Sequence, residues 1–452
     1  MTNINIRELS HSEMDLYRKP LLPETWSCFP VDEEVDTQTL RRALQKDLDK
    51  IRSGAEKDPF SNSITMLALD ISRRLEKKKL NYSALEALIQ RLAVGSLGFR
   101  ADRLRKYIGE LDKEKNNSKI KNLILNLSKD KDGKTIDFEI FQKKIEKNIF
   151  GIVLTAHPTF GNSFNMIESL ANMATMTNVK GKDINIHKLK ILIKNIFKTE
   201  QRPDKEITLD YEHGLSIYAL KNLQIALKDF YKQVLLVSKK IYPKQYQKLV
   251  PKIFSLHTWV GYDVDGRGDI SWIDTFCKRL KVKLEQLDIY QKSFIKISKK
   301  IKEKNCRKIS EIINKIFSEG LNLTNTIHDR LDKKGLINDI NEIKKISKFM
   351  YDKKHKSLID LTLVSREIKK LYDSIKKSKI RNKENLLLEL QIFNTELQNY
   401  GLGLGRTQVR LNANQLNNAI AKEIDLHGAP DDPSNKTTYL NMISKLMKKL
   451  SQ

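Results

Sequence analysis

The stretch IVLTAHPT, residues 152–159, differs most sharply from its surroundings in the sequence. A β-prone apolar run leads directly into a polar turn that contains a proline. Pro158 restricts His157 to extended conformations and so fixes how the imidazole leaves the strand. Near neutral pH such a histidine can donate a proton, accept one or hold an anion, but it equally fits a hydrogen-bonded structural turn. The stretch therefore predicts a strand followed by a histidine whose role stays open.

Two later segments share this combination of a β-prone or apolar run with an abrupt turn. The first segment covers residues 149–159, the second 253–269 and the third 400–413. The second contains WVGYDVDG at 259–266, and the third contains GLGLGRTQVR at 401–410. Because parallel strands need long and usually helical crossovers, the spacing of these segments suits successive strands of a parallel barrel with long helical insertions. A barrel would place functional groups at the carboxyl ends of its strands.

Helical periodicity dominates the remainder of the chain. One apolar stripe at steps of three and four predicts a helix that starts after Gly214 and ends before Pro243. The stripe consists of Leu220, Leu223, Leu227, Phe230, Val234 and Val237. The expected fold class is a mainly α-helical α/β protein with a partial (β/α)8 TIM-type barrel. We predict an N-terminal helical region at 1–147, the first barrel strands with large helical insertions at 148–424, and a linker with a C-terminal helix at 425–452.

The composition excludes several classes of protein. Apolar residues make up 40% of the 452 residues and charged residues 31%, which is typical of a folded globular protein. No run of 18 apolar residues and no N-terminal apolar region is present, so we expect a cytoplasmic protein without membrane contact. Three isolated cysteines predict reduced thiols. The net charge of +27 comes mostly from 63 dispersed lysines without aromatic interleaving, which argues against nucleic-acid binding.

The second and third segments each superficially match a known binding loop. As a calcium loop, the second would use Asp263 and Asp265, but Arg267 stands where an oxygen ligand is needed. The glycine run of the third lacks both the GxGxxG context and a Walker lysine, which argues against nucleotide binding. We therefore interpret the third segment as a short strand carrying Arg406 and Arg410. Alone, these arginines equally fit surface ion pairs.

In order and approximate spacing, the three segments together resemble the phosphoenolpyruvate carboxylases. That family carries TAHPT, then W-x-G-G-D-R-D-G-N, then a segment ending in D-I-R-Q. The resemblance implies a mostly helical enzyme built around an eight-stranded barrel. Such a carbon–carbon lyase joins bicarbonate to phosphoenolpyruvate, releases oxaloacetate and phosphate, and thereby supplies the citric acid cycle. The resemblance also implies magnesium or manganese as cofactor.

The resemblance also assigns roles to individual residues. His157 matches the catalytic histidine, which handles the carboxyphosphate proton, and Arg410 matches an arginine that faces a substrate anion. The resemblance also implies supporting roles for residues around His157 and Arg410. Most of these residues match the family pattern in the first and second segments, and one, Arg267, departs from it. They are Thr155, Pro158, Trp259, Gly261, Asp263, Asp265, Gly266 and Arg267.

Departures from the family pattern put full activity in doubt. The second segment replaces a glycine, an arginine and an asparagine, and the third replaces an aspartate and a glutamine. The residues present instead are Tyr262, Val264, Arg267, Gln408 and Leu411. The loss of a positive group at Val264 is the most serious, although Arg267 brings a positive charge three residues later.

Family members are about twice as long, and their second half carries the metal-binding carboxylates. We therefore expect the metal ligands to lie outside this chain and assign none within it. Expected partners are the two substrates and either further copies of the chain, as in the family's tetramer, or a complementary C-terminal half. The alternative is a catalytically incomplete helical scaffold derived from that family, because a partial barrel exposes strand edges that need a partner.

Overall fold

A computed structural model describes most of the chain, and the described residues include three β-strands. It covers residues 63–78, 103–108, 111–155, 162–177, 183–185, 206–265, 270–333, 335–350, 361–410, 412–423 and 436–450, together with a few isolated positions. Contacts group the chain into two compact units, one of 1–113 with 158–207 and one of 114–157 with 208–452. The three regions predicted from the sequence stay a prediction.

The first unit is helical where it is described. Helix α1 spans Ser63–Glu76, and α4 spans Phe164–Thr175. Ser163 caps α4 because its hydroxyl accepts a hydrogen bond from the Met166 backbone N–H at 3.2 Å. Met166 and Met173 lie on the buried side of α4 and form a small apolar core with Ala101.

The second unit contains the other helices and all three strands of the described ranges. Its helices are α2 Lys113–Leu127 (whose first residue belongs to the other unit), α3 Phe138–Ile145, α5 Leu209–Ile241, α6 Trp272–Ser298, α7 Lys304–Leu331, α8 Ile340–Met350, α9 Leu361–Lys377, α10 Lys383–Tyr400, α11 Ala413–Glu423 and α12 Lys436–Leu450. Its strands are β1 Phe150–Leu154, β2 Phe254–Thr258 and β3 Arg406–Thr407. The expected mainly helical class is thereby confirmed.

The predicted start of the long helix α5 was wrong, whereas its end before Pro243 is confirmed. The helix begins at Leu209, because the Thr208 hydroxyl caps it by accepting from the Tyr211 backbone N–H at 3.2 Å. Gly214 therefore lies inside the first turns and does not precede them. This earlier start matters for the site, since it places His213 within the helix.

An aromatic core joins helices α6, α7, α9 and α10. Tyr290 and Phe294 of α6 contact Phe317 of α7 and Phe393 of α10, with ring centroids 5.5–6.3 Å apart. All four rings are almost fully buried. Aromatic side chains contribute the largest buried areas in protein cores, so this cluster fixes the helical body on which the sheet lies.

The three strands form one parallel sheet in the order β1–β2–β3. Phe150 pairs with Phe254 and Leu154 with Thr258, while His257 pairs with Arg406. The crossovers between the strands contain helices α4 and α5, and then α6 to α10. The predicted parallel strands with long helical insertions are therefore present, but the described residues do not form a closed barrel.

One face of the sheet packs against helices. Ile152 and Leu256 contact the apolar side of α5, including Leu220, and the same cluster contains Leu404. Gly405 lets β3 approach this closely, because a Cβ there would lie 2.9 Å from the Leu256 carbonyl oxygen. None of the helices in the described ranges combines the length and apolar character needed to cross a bilayer.

Candidate active site at the carboxyl ends of the strands

The carboxyl ends of the three strands meet at one edge of the sheet, where the candidate residues were expected. Thr155 follows β1 directly and is half-buried. His157, Pro158, Gly266 and Arg267 lie outside the residues that the structure describes, so their roles stay predictions. The described candidates beyond Thr155 all belong to the second and third segments. They are Trp259, Gly261, Asp263, Asp265 and Arg410.

The second and third segments are joined through Arg410. Its backbone N–H donates to the Tyr262 carbonyl at 3.3 Å, and its own carbonyl accepts from the Val264 N–H at 3.0 Å. These bonds extend the parallel pairing of β2 and β3 past the strands as a bridge between Asp263 and Arg410. The third segment was predicted to be a short strand carrying Arg406 and Arg410, but its regular part contains only Arg406 and Thr407, and Arg410 is paired through the isolated bridge alone.

The guanidinium of Arg410 lies between two carboxylates. Its Nη1 is 3.0 Å from Asp263 Oδ2, and its Nη2 is 3.5 Å from Asp265 Oδ2. The guanidinium carbon also lies 5.9 Å from the centre of the Trp259 ring, within the range of a cation–π contact. The two aspartates of the second segment therefore orient the arginine of the third.

This arrangement leaves little positive charge for a substrate anion. Two carboxylates against one guanidinium give the group a net negative charge when all three are ionised. Within the described residues, Asp263 Oδ1 is buried without a hydrogen-bond partner. An anion at Arg410 must displace at least one aspartate, or a cationic group must come close to both aspartates.

The same geometry does not suit a divalent metal ion. Oxygen ligands must surround such an ion, whereas a guanidinium already lies between the oxygens of Asp263 and Asp265. The part of the chain that the structure describes contains no group of three or more His, Cys, Asp or Glu able to hold a metal. We therefore assign no metal-dependent step to these residues.

Beneath the site, Tyr262 anchors the second segment in the core. Its side chain is fully buried, and its hydroxyl lies 3.1 Å from His213 Nε2 of α5. Nearby, Arg279 of α6 donates to the Thr407 hydroxyl of β3. Burial raises the pKa of Tyr262, so the phenol stays protonated. The Tyr262 hydroxyl thus connects the second segment to α5.

His213 is fully buried beside this hydroxyl. Burial, and then the positive charges of Lys278 and Lys281, lower the pKa of His213 to about 3. The imidazole is therefore neutral at physiological pH, and its Nδ1 has no hydrogen-bond partner among the described residues. No local sequence signal distinguishes His213, since it lies within an ordinary amphipathic helix.

Gly261 is the residue that lets the turn lie against this network. Its φ of +87° belongs to the left-handed region, and a Cβ would lie 3.0 Å from His213 Cδ2 and 3.1 Å from Lys278 Cδ. Lys278 is itself nearly buried and donates to Asp210 Oδ1 at 2.6 Å. The conformation and the close packing both require glycine here.

Comparison with known proteins identifies no relative. No protein-family model matches the sequence, and no curated protein matches it. The resemblance to phosphoenolpyruvate carboxylases therefore rests on the three short segments alone.

Proposed function

We propose that this chain belongs to a phosphoenolpyruvate carboxylase-like enzyme that forms oxaloacetate and phosphate from phosphoenolpyruvate and bicarbonate. One observation carries the proposal: the segments that resemble the family follow parallel strands that are neighbours in one sheet, in chain order. Parallel α/β proteins build their active sites at this edge. Three unrelated motif matches would have no reason to converge there.

Each residue has a distinct role in this proposal. His157 handles the proton of carboxyphosphate from the segment that follows β1. Arg410 binds the anionic substrate after an incoming oxyanion displaces Asp265. The contact of Arg410 with Asp265, at 3.5 Å, is the longer of its two contacts with carboxylates. Asp263, at 3.0 Å, then keeps the guanidinium in position. The metal that the family uses would need ligands other than these.

The second candidate function is a catalytically incomplete interaction protein. Two observations favour it. Arg410 is already paired with carboxylates. In addition, β1 and the residue before it carry exposed apolar side chains, with Ile149 and Phe150 more than half exposed and Val153 43% exposed. Exposed apolar side chains on a parallel strand are typical of a surface that another chain covers.

An oxaloacetate assay separates the two functions. The chain is supplied with phosphoenolpyruvate, bicarbonate and manganese, alone and together with the product of any downstream coding segment, and oxaloacetate is followed through malate dehydrogenase. The enzyme proposal expects bicarbonate-dependent NADH oxidation, and it expects His157→Asn and Arg410→Gln each to lower kcat at least about a hundredfold.

Arg381→Gln is the matched control, since Arg381 is an exposed arginine in the turn before α10. It should retain wild-type activity. Absence of oxaloacetate in both arrangements, or activity that survives His157→Asn unchanged, rejects the enzyme proposal and leaves the interaction protein.

A further inference from the structure

The second face of the sheet lies opposite the apolar face that packs against α5. It is polar along β2 and β3, whereas β1 contributes Val153, the register partner of His257. Successive side chains of a strand point to opposite faces, so Ser255 and His257 of β2 lie opposite the apolar face formed by Leu256. Arg406 is the register partner of His257 on the neighbouring strand, and Gln408 follows it by two residues. The four polar side chains therefore share one face.

Hydrogen bonds fix the imidazole of His257 in the middle of this face. Its Nε2 lies 2.8 Å from the Ser255 hydroxyl, and its Nδ1 lies 3.4 Å from Gln408 Nε2. Because the Gln408 amide nitrogen can only donate, Nδ1 accepts and the proton of a neutral imidazole lies on Nε2. The second N–H of the Gln408 amide remains available to a ligand.

Arg406 differs from Arg410 in its partners. Its side chain is exposed and makes no ion pair or hydrogen bond with the described residues, whereas the Arg410 side chain lies between two carboxylates. A guanidinium presents a planar fork of N–H donors that matches the two oxygens of a carboxylate or phosphate. The unpaired cation of the sheet is therefore Arg406.

Within the described ranges, Arg406 and Gln408 on this face are exposed and His257 is half-buried. Parallel sheets are normally covered on both faces, and their two faces are then apolar. An apolar layer over Arg406 and His257 would leave a buried charge and a buried imidazole without partners, which is costly. What suits this face is a group that brings negative charge and accepts several hydrogen bonds.

We propose that Arg406, His257 and Gln408 form a binding site for a small oxyanion, such as a phosphate or a carboxylate. The Arg406 fork binds two oxygens of the anion, and the free amide N–H of Gln408 binds one of these or a third. His257 borders the anion and holds the Gln408 amide in place. The site goes beyond the proposed function, because binding here requires no catalysis and does not involve Arg410.

The test uses the full chain with histidine labelled with nitrogen-15, titrated with inorganic phosphate at constant ionic strength. The His257 imidazole signal is assigned by its absence from a His257→Asn spectrum. We expect a saturable shift of that signal, at least about tenfold weaker phosphate affinity in Arg406→Gln, and a smaller loss in Arg406→Lys, which keeps the charge without the fork.

Arg381→Gln controls for general loss of positive charge. The two arginines flank opposite ends of α10, whose 18 residues span about 27 Å. The Arg381→Gln variant should bind phosphate with the same affinity as the wild type. Parallel titrations with bicarbonate and malonate then show whether the site prefers phosphate or carboxylate oxygens.

Two results would overturn the proposal. One is a His257 signal that does not respond saturably to any of the three anions, which would leave this face to an acidic partner protein. The other is equal weakening in Arg406→Gln and Arg381→Gln, which would show a general charge effect. Far-ultraviolet circular dichroism of Arg406→Gln identical to wild type verifies that its fold is intact.

Discussion

Asp263 and Arg410 are 147 residues apart in the sequence, yet their side chains are joined at 3.0 Å and their backbones form a parallel bridge. The ion pair is partly exposed, with 51% of the Arg410 side chain and 29% of the Asp263 side chain accessible to solvent. The backbone bridge, which does not depend on side-chain charge, holds the two segments together as well. The ion pair and the bridge are therefore separable by mutation.

A double-mutant cycle of Asp263→Asn and Arg410→Gln measures the ion pair. We expect a coupling free energy of about 0.3–1 kcal/mol, because partly exposed pairs are screened by water. The measurement is urea unfolding of the two single variants, the double variant and the wild type. The coupling should decrease as salt is raised from about 0.05 to 0.5 M. A coupling above about 3 kcal/mol would contradict this description and indicate a desolvated pair.

Tyr262 provides a prediction that opposes the family pattern. Tyr262→Gly restores the residue that the phosphoenolpyruvate carboxylases carry at this position, yet it should lower the free energy of unfolding by about 3–5 kcal/mol, since it removes a fully buried ring. Tyr262→Phe keeps the ring and loses only the hydroxyl that lies 3.1 Å from His213 Nε2. We expect that variant to lose about 1–2 kcal/mol.

Urea unfolding followed by circular dichroism measures both Tyr262 variants. Tyr82→Phe is the control, since the Tyr82 side chain is 75% exposed, and it should change the free energy of unfolding by less than about 0.5 kcal/mol. If Tyr262→Gly is as stable as wild type, the anchoring role of Tyr262 is wrong.

His213 predicts how stability depends on pH. Its pKa of about 3 in the folded protein lies below the unfolded value of about 6.5. Between these values the unfolded chain binds a proton that the folded protein does not, so stability falls as pH falls. The slope from this residue reaches about 1.4 kcal/mol per pH unit, and from pH 7 to pH 5 it amounts to about 2 kcal/mol.

The comparison of wild type with His213→Gln isolates this contribution. Both proteins are unfolded in urea at pH 5, 6 and 7, and the variant should lose about 2 kcal/mol less than wild type over that range. If the free energy of unfolding of the two proteins falls equally from pH 7 to pH 5, His213 is protonated in the folded state and the prediction is wrong.

Local signals explain which parts of the fold the sequence could predict. The strand character before Thr155, the glycines of the third segment and the apolar stripe of α5 are each visible within about twenty residues. They predicted parallel strands and long helices, both of which are present. The predicted short strand carrying Arg406 and Arg410 was too long, because regular pairing ends at Thr407 and only an isolated bridge pairs Arg410 with Asp263.

The contacts of the site depend on long-range packing and were therefore not predictable. Arg410 was interpreted as an arginine for a substrate, with a surface ion pair as the alternative, and nothing near it in the sequence indicates that Asp263 and Asp265 are its partners. Tyr262 was noted only as a departure from a family pattern, although its hydroxyl contacts His213 of α5. Such contacts join residues that only the complete fold brings together.

The parallel sheet has a kinetic consequence. Its first pairing joins residues about 100 positions apart, and its second joins residues about 150 positions apart. Closing loops of this length costs entropy before any contact is gained, and proteins dominated by such contacts fold slowly. The packing of α6 on α10 also joins residues about 100 positions apart. The pairing of β2 with β3 closes the longest of these loops, so we expect the strand ends that carry Asp263 and Arg410 to come together late.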